Sequence, residues 1–270
     1  MPYPCNVHDF AITPNYVVFP FFPLITDMEN VRSGSSFFEW RPEHPSMVAI
    51  VPRGKGGEGI RWFEGGPVSA GHMMNAFEDG DQVLLDLCLY DGNCFPFFPS
   101  PGQAPTKDFP PPQLTRFHFD LSQEGPDYTR QLLTPVPGEM PRTDDRYQGY
   151  SCDNGFMIVF RGPDGTSTVG RVDLNSGAME TWDHGERSSV HEPQFVPRSP
   201  DAPEGDGWLL VIVNRLEDRS SDLAILDAQN VAAGPVARLA LPVRIRSTFH
   251  GTWTDAEALR TGHHAMKRSG

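Results

Sequence analysis

Short apolar runs separated by turn-forming residues dominate the hydrophobic pattern of this chain. Leu114–Asp120 alternates apolar and polar positions, as a strand with one buried face does. Phe156–Phe160 and Trp208–Val213 are almost continuously apolar, and Gly, Pro, Asn and Asp recur between such runs at intervals of about 8–12 residues. This pattern predicts an all-β fold in the form of a sandwich, a barrel or a propeller. The remaining predicted strands are Tyr16–Phe22, Phe37–Trp40, Ser46–Val51, Ile60–Phe63, Val83–Tyr90, Tyr128–Leu133, Ser167–Val172, Ala178–Trp182, Asp222–Leu226 and Pro235–Leu241.

Two segments are predicted to be irregular, and helices are predicted to be short. Pro52–Gly59 has the composition of a hairpin turn. Cys94–Pro112 is rich in proline and is predicted to be a long loop, because proline cannot donate to a strand ladder. The helix candidates are Ala228–Ala233 and Ala256–Leu259, since no amphipathic pattern extends beyond about two helical turns.

Composition and charge narrow the class of protein further. Apolar residues make up 38% and charged residues 21% of the 270 positions, which is typical of a globular protein. The net charge of −13 disfavours non-specific binding to nucleic acid or to an anionic membrane. The four cysteines show no C-x-x-C spacing, so we expect reduced, partly buried thiols. The sequence shows neither a signal-like start nor an apolar run of about 18 residues, so the predicted location is the cytoplasm.

Three histidines share one sequence context and are candidate metal ligands. His72 precedes a turn and a strongly β-forming run, His8 precedes a turn and a strand, and His250 ends the strand-like run Ala237–Ile245. An imidazole at the end of a rigid strand is well placed to bind a metal ion. The alternative is that each ring bonds to a backbone carbonyl, since no local motif such as H-E-x-x-H is present. The other histidines, interpreted as surface or structural residues, are His44, His118, His184, His191, His263 and His264.

Two glutamates are candidates for supporting such a site. Glu139 lies in GEMPRTDDRYQG, and Glu192 lies in HEPQFVPR. A carboxylate beside a ligand histidine accepts the free ring N–H, fixes the tautomer and raises the basicity of the ligand. The alternative is that both are turn carboxylates on the surface.

Four segments of the chain resemble one known family. They are VHDFAITPNYVVFPFFPL (7–24), GHMMNAFEDGDQVLLDLCLYDGNCFPFFP (71–99), GEMPRTDDRYQGYSC (138–152) and a long segment (192–253) that begins with EPQFVPR and ends with FHGTW. In this order they resemble the carotenoid cleavage oxygenase family, and most of all its lignostilbene dioxygenase branch. The resemblance extends over roughly nine-tenths of the chain, from His8 to Trp253.

The resemblance implies a seven-bladed β-propeller with Fe(II) on its axis, held by four histidines. Three of these match His8, His72 and His250, and two glutamates that bind ligand histidines match Glu139 and Glu192. The implied reaction uses O2 as co-substrate and splits a conjugated C=C bond of a stilbene-type or apocarotenoid substrate into two carbonyl products. The implied partner is therefore a small apolar or aromatic alkene. The two FPFFP runs, at 19–23 and 95–99, are expected either to line a substrate tunnel or simply to pack.

The chain also departs from the family pattern. Members are nearly twice as long, and nothing here matches the first ligand histidine, a further glutamate or the first blades. We therefore expect an incomplete propeller of about four blades over residues 1–255 and an atypical tail over 256–270. This is expected to be a fragment whose partner is the missing N-terminal portion of the domain. Two alternatives stay open: a catalytically inactive propeller remnant or binding module, and a zinc hydrolase with three histidine ligands.

Overall fold

β-Strands account for almost all regular structure in the chain. The computed structural model describes residues 1–34, 36–106, 110–162, 164–182, 184, 187–246, 248–256 and 259–260. Strands make up 46% and helices 6%, which confirms the all-β prediction. Within the described ranges, none of the helices combines the length and the apolar composition that a bilayer crossing requires.

The first sheet lies near the N-terminus. The elements there are β1 (Ala11–Ile12), β2 (Tyr16–Phe21), β3 (Leu24–Ile25), α1 (Met28–Arg32), β4 (Glu39–Trp40), β5 (Ser46–Pro52) and β6 (Arg61–Gly65). β1, β2, β5 and β6 form an antiparallel sheet in that order, and β3 pairs with β4. The predicted hairpin turn lies between β5 and β6, where Gly57 has φ of 96°. Glycine adopts such positive φ values without the steric cost that other residues meet.

The middle of the chain forms a seven-stranded antiparallel sheet. Its strands are β7 (Ser69–Asp79), β8 (Gln82–Tyr90), β9 (Gln113–Asp120), β10 (Thr129–Arg142), β11 (Asn154–Phe160), β12 (Ser167–Asp173) and β13 (Met179–Thr181). The long strand β10 belongs to two halves of this sheet. Its residues 129–132 pair with β9, and its residues 138–142 pair with β11. The predicted proline-rich loop connects β8 and β9, with residues 107–109 outside the described ranges.

The last sheet contains five short or medium strands. They are β14 (Ser188–Val190), β15 (Gln194–Pro197), β16 (Gly207–Arg215), β17 (Ser220–Asp227) and β18 (Pro235–Ala240). β14 and β15 both pair with β16, which is followed by β17 and β18. The helix candidate Ala228–Ala233 is a 3-10 turn at Val231–Ala233. The other candidate, Ala256–Leu259, includes residues outside the described ranges.

The strands therefore form four successive antiparallel groups. These are the first sheet, β7–β10, β10–β13 and the last sheet, and each group packs on the next. Three buried clusters join successive groups. The first cluster contains Ile50 and Leu85, and the second contains Leu114 and Met157. The third contains Phe156 and Leu209. Each of these side chains is almost fully buried and stabilises the fold by about 1.5–3 kcal/mol. The packing brings the first strands of the groups together, because β1 lies beside β7, and β7 lies beside β10.

Two predictions about strands near the candidate ligands are wrong. His72 lies inside β7 and not at the mouth of the next strand. Both faces of β7 are buried, so its sequence lacks the alternation that marks a half-buried strand. The run Ala237–Ile245 is not one strand, since β18 ends at Ala240. His250 consequently lies in an irregular segment beyond that strand.

Candidate metal centre

His8, His72 and His250 come together where the first strands of the groups meet. His8 lies just before β1, His72 lies in β7, and His250 lies in the segment after β18. The Nε2 atoms of His8 and His72 are 3.4 Å apart. The ring centre of His72 is 5.2 Å from that of His8 and 4.9 Å from that of His250. The fold thus assembles all three predicted histidines from positions that are far apart in sequence.

Two buried carboxylates hold the far side of two of these rings. His72 Nδ1 donates to Glu139 Oε2 at 2.8 Å, and His250 Nδ1 donates to Glu192 Oε1 at 3.2 Å. The other oxygen of Glu192 accepts from the backbone N–H of Gly251 at 3.1 Å. Both glutamates are less than 10% exposed, at 6% and 7%. Because Nδ1 is the donor in each ring, the Nε2 lone pair of a neutral imidazole is directed to the centre. The surface interpretation of the two glutamates is therefore wrong.

The backbone around His72 and Glu139 allows close contacts. Asp9 Oδ2 accepts from Met73 N at 2.8 Å, which ties the start of β1 to β7 beside two of the histidines. Met140 has φ of 53°, and its N–H donates to Glu139 Oε2 at 2.6 Å. A positive φ is costly for methionine, and such strain is typical of functional sites. Gly71 has no side chain at the point where a Cβ would lie 2.6 Å from Glu139 Oε1.

The environment affects the protonation of His8 and His72 differently. Burial, followed by the neighbouring His72, lowers the pKa of His8. Burial also lowers the pKa of His72, but the hydrogen bond to Glu139 and the charge of that carboxylate outweigh it, so the pKa of His72 is raised. Since a metal ion binds only the neutral ring, protons compete more strongly for His72 than for His8.

A cavity of about 640 Å³ opens beside the three rings. Phe10, Ile12 and Met74 contribute apolar side chains to its wall, and Arg142 and Asp145 contribute a polar part. Arg142 donates to Asp145 at 3.0 Å, and its other terminal nitrogen lies 3.8 Å from Glu192. The volume falls within the usual range for sites that bind small molecules.

The two FPFFP segments lie in different surroundings. Phe21 and Phe22 of the first are buried, as the packing interpretation expects. In the second, the ring of Phe95 lies edge-on to His8, with ring centres 5.8 Å apart. The ring of Phe97 follows at 5.7 Å from Phe95 and is 56% exposed. A row of aromatic rings thus runs from the surface to one of the three histidines.

The donor set at this centre suits a divalent transition metal. In the described part of the chain, no three His, Cys, Asp or Glu side chains are already close enough to enclose an ion. The spacing of His8 and His72 nevertheless fits, because two nitrogens at about 2.1 Å from one ion and about 90–110° apart are about 3.0–3.4 Å from each other. Imidazole is a ligand for iron, zinc, copper and nickel. The ring of His250, whose centre is 4.9 Å from that of His72, is the third imidazole beside this pair.

Comparison with known proteins places the chain in a family. A sequence profile described as RPE65, retinal pigment epithelial membrane protein, matches residues 1–255. The chain belongs to this family of carotenoid oxygenases. Isoeugenol monooxygenase of Pseudomonas putida is 38% identical to it over 93% of this RPE65-family chain and 55% of that protein. Lignostilbene-α,β-dioxygenase isozyme III of Sphingomonas paucimobilis is 35% identical over 96% of this chain and 56% of that protein. The predicted resemblance is confirmed, and the chain spans about half the length of these relatives.

A solved structure shows the same fold. The crystal structure of Pseudomonas brassicacearum lignostilbene dioxygenase matches this RPE65-family chain with a TM-score of 0.89 at 36% identity. The match covers 94% of this chain and 56% of that one. The predicted β-propeller of the carotenoid oxygenase type is confirmed, whereas the number of about four blades stays a prediction.

The remaining histidines have separate environments. His118 bonds to Gln131 on the partly exposed face of β9, and His44 lies against Tyr3. His191 differs from them because it is only 5% exposed. Its ring lies within 2.6 Å of the Thr248 hydroxyl, and burial lowers its pKa. His263 and His264 lie outside the described residues.

Three residues at the centre were not predicted from the sequence. They are Asp9, Gly71 and Arg142. Each is adjacent or close in sequence to a predicted residue, and this was the available signal. A glycine inside a strand often marks the close approach of another group, which applies to Gly71.

Proposed function

We propose that this chain carries the iron site and part of the substrate cavity of a non-haem Fe(II) dioxygenase. The proposed reaction cleaves a conjugated C=C bond of a stilbene-type or apocarotenoid substrate into two carbonyl products. The observation that carries the proposal is the convergence of His8, His72 and His250, with Glu139 and Glu192 behind two of the rings. The names of the relatives agree, since they are oxygenases of isoeugenol and lignostilbene.

His8, His72 and His250 would hold the iron through Nε2. Bound Fe(II) would supply the redox chemistry that activates O2. Glu139 and Glu192 accept the Nδ1–H of two ligands, which orients the rings and increases their basicity.

The cavity wall fits an apolar, planar substrate. Phe10, Ile12 and Met74 offer apolar surface beside the histidines, and Phe95 presents its ring at His8. Aromatic rings pack well edge to face or in offset stacks, as a stilbene-type alkene would require. Arg142 is tied to Asp145 and lies near Glu192, so it holds the cavity wall and the carboxylate together.

Iron analysis tests the proposal directly. The purified 270-residue chain is loaded with Fe(II) under anaerobic conditions, desalted and analysed for metal. We expect close to one iron per chain, loss of iron in His72→Ala, and no loss in His118→Ala, a matched change on the partly exposed face of β9. Oxygen-dependent conversion of a stilbene to two aldehydes would then establish the reaction.

Other outcomes favour the alternatives. A folded wild-type chain that binds no iron would refute the proposed site and favour a propeller portion that binds partners without catalysis. A preference for zinc, together with hydrolysis that needs no O2, would favour the zinc hydrolase.

A further inference from the structure

A chain of buried polar side chains starts next to the candidate centre and is not used by the proposed chemistry. Ser221 donates to Asn214 Oδ1 at 2.6 Å, and the Asn214 amide donates to His191 Nε2 at 2.8 Å. His191 Nδ1 then donates to the Thr248 hydroxyl at 2.6 Å. Ser221, Asn214 and His191 are 1%, 5% and 5% exposed. Each ring nitrogen of His191 therefore has one partner, and the direction of the bonds fixes one neutral tautomer.

Both ends of this row of hydrogen-bonded side chains contact the segment that carries His250. β18 ends at Ala240, and the segment after it has no strand pairing of its own among the described residues. Side chains of the last sheet hold it instead. Ser221 Oγ accepts from Ile245 N at 2.9 Å, and His191 bonds to Thr248.

His191 and Glu192 together hold alternate positions of this segment. His191 bonds to Thr248, and the adjacent Glu192 bonds to His250 and to Gly251 N. Two consecutive residues in the connection between β14 and β15 thereby bond to the backbone and side chains on either side of His250 and to its ring. Without the contact to Thr248, Glu192 would be the nearest remaining support of a histidine whose side chain is 52% exposed, since Ser221 bonds the segment further away, at Ile245.

We propose that His191, supported by Asn214 and Ser221, is a positioning residue that sets His250 at the centre through Thr248. This inference rests on the proposed function, since it concerns His250 as an iron ligand. Partners behind a metal ligand typically change metal affinity about 10- to 100-fold when they are removed. His191 does not contact His250 directly but acts through Thr248, so we expect an effect near the lower end of that range.

The test compares Thr248→Val, which keeps the shape but removes the hydroxyl, with Thr248→Ser, which keeps the hydroxyl. Thr248 is exposed, so neither change disturbs the core. Iron affinity is measured by anaerobic competition with a chelator. We expect about tenfold weaker binding in Thr248→Val and less than about threefold in Thr248→Ser. His191→Phe should reproduce the loss seen in Thr248→Val.

Thr168→Val is the matched control. Thr168 is 2% exposed, and its hydroxyl donates to Trp182 O at 2.6 Å, outside the bonds that hold the His250 segment. We expect it to lose stability but to keep wild-type iron affinity. Equal iron affinity of Thr248→Val and the wild type would overturn the proposal, as would an equal loss in Thr168→Val.

A second readout needs no metal. Hydrogen exchange of the metal-free chain reports on the backbone amides of Ile245 and Gly251, and we expect faster exchange in Thr248→Val but not in Thr248→Ser or Thr168→Val. If the wild-type chain binds no iron, the proposed function fails separately. In that case unchanged exchange in Thr248→Val would overturn the positioning role, and faster exchange would support it.

Discussion

Gly71 is the position where the smallest change should most directly disturb the histidine centre. A Cβ atom there would lie 2.6 Å from Glu139 Oε1, against an ordinary contact of at least 3.4 Å, so the carboxylate must move by about 0.8 Å. Glu139 is 6% exposed, and Oε2 of the same carboxylate accepts from His72 Nδ1 and Met140 N, so a shift of the carboxylate disturbs these bonds. A shift of this size directed away from His72 lengthens the 2.8 Å bond from His72 Nδ1 to Glu139 Oε2 to about 3.6 Å, beyond hydrogen-bonding range.

Two consequences of Gly71→Ala are expected. Loss of the hydrogen bond from His72 to the Glu139 carboxylate should weaken iron binding by about 10- to 100-fold, which corresponds to about 1.4–2.7 kcal/mol. In the metal-free chain the pKa of His72 should fall, because burial, which lowers it, remains while the bond to Glu139, which raises it, is lost. Neither effect depends on the identity of the substrate.

Chelator competition measures the first effect, and an NMR titration of the His72 ring measures the second. Gly66→Ala is a matched control, since a Cβ there meets no atom within 4 Å. If Gly71→Ala folds and keeps both the wild-type affinity and the wild-type pKa of His72, the close approach of Glu139 does not orient that ring.

Three further predictions follow from other parts of the molecule. Glu192→Gln should weaken iron binding at least about tenfold, because both carboxylate oxygens accept hydrogen bonds and an amide would direct its own N–H groups at His250 or at a backbone N–H. Glu78 accepts three hydrogen bonds from the loop after β1; burial raises its pKa, but these bonds outweigh it and the pKa is lowered. Glu78→Gln should therefore reduce the free energy of unfolding by about 1 kcal/mol at pH 7 and by much less near pH 2. Burial raises the pKa of Cys94 and Cys152 to about 12, so alkylation at pH 8 should be slow until denaturant is added.

Each of these has a defined contrary result. Wild-type iron affinity in Glu192→Gln would show that the carboxylate does not orient its histidine. For Glu78, the sign is fixed by a lowered pKa, since stability from the ionised form is present above the unfolded-state value of about 4.3 and is lost as the pH falls. Urea unfolding curves that show the same loss at both pH values would contradict it. Rapid labelling of Cys94 in the folded chain would contradict the raised pKa of its thiol.

The sequence predicted strands best where one face is buried or where the run is strongly apolar. β9 alternates as predicted, and β11 and β16 contain the predicted apolar runs. β7 was missed because both of its faces are buried. β10 extends well beyond the predicted Leu133, through prolines that normally argue against a strand. The short strands β14 and β15 and the helix α1 are too brief to give a period, and tertiary contacts decide their structure.

The candidate site followed from the family resemblance and not from spacing. Nothing local to His8, His72 or His250 indicates that they meet, because their contact depends on packing between sheets. The sequence also left open which glutamate supports which histidine. The fold pairs Glu139 with His72 and Glu192 with His250. The conformation of residues 241–246 and 248–250 after β18 has no sequence signal, because side chains of β17 and of the β14–β15 connection hold this segment.

The double membership of β10 has a consequence for how this segment tolerates change. Residues 129–132 take their register from β9, residues 138–142 take theirs from β11, and Glu139 lies in the second part. Side chains alternate between the two faces of a strand, so one residue inserted between the parts would turn Glu139 away from His72 unless one register slipped. Two inserted residues would restore its direction. The segment must therefore preserve parity more strictly than length, and odd and even insertions should differ sharply in their effect on the site.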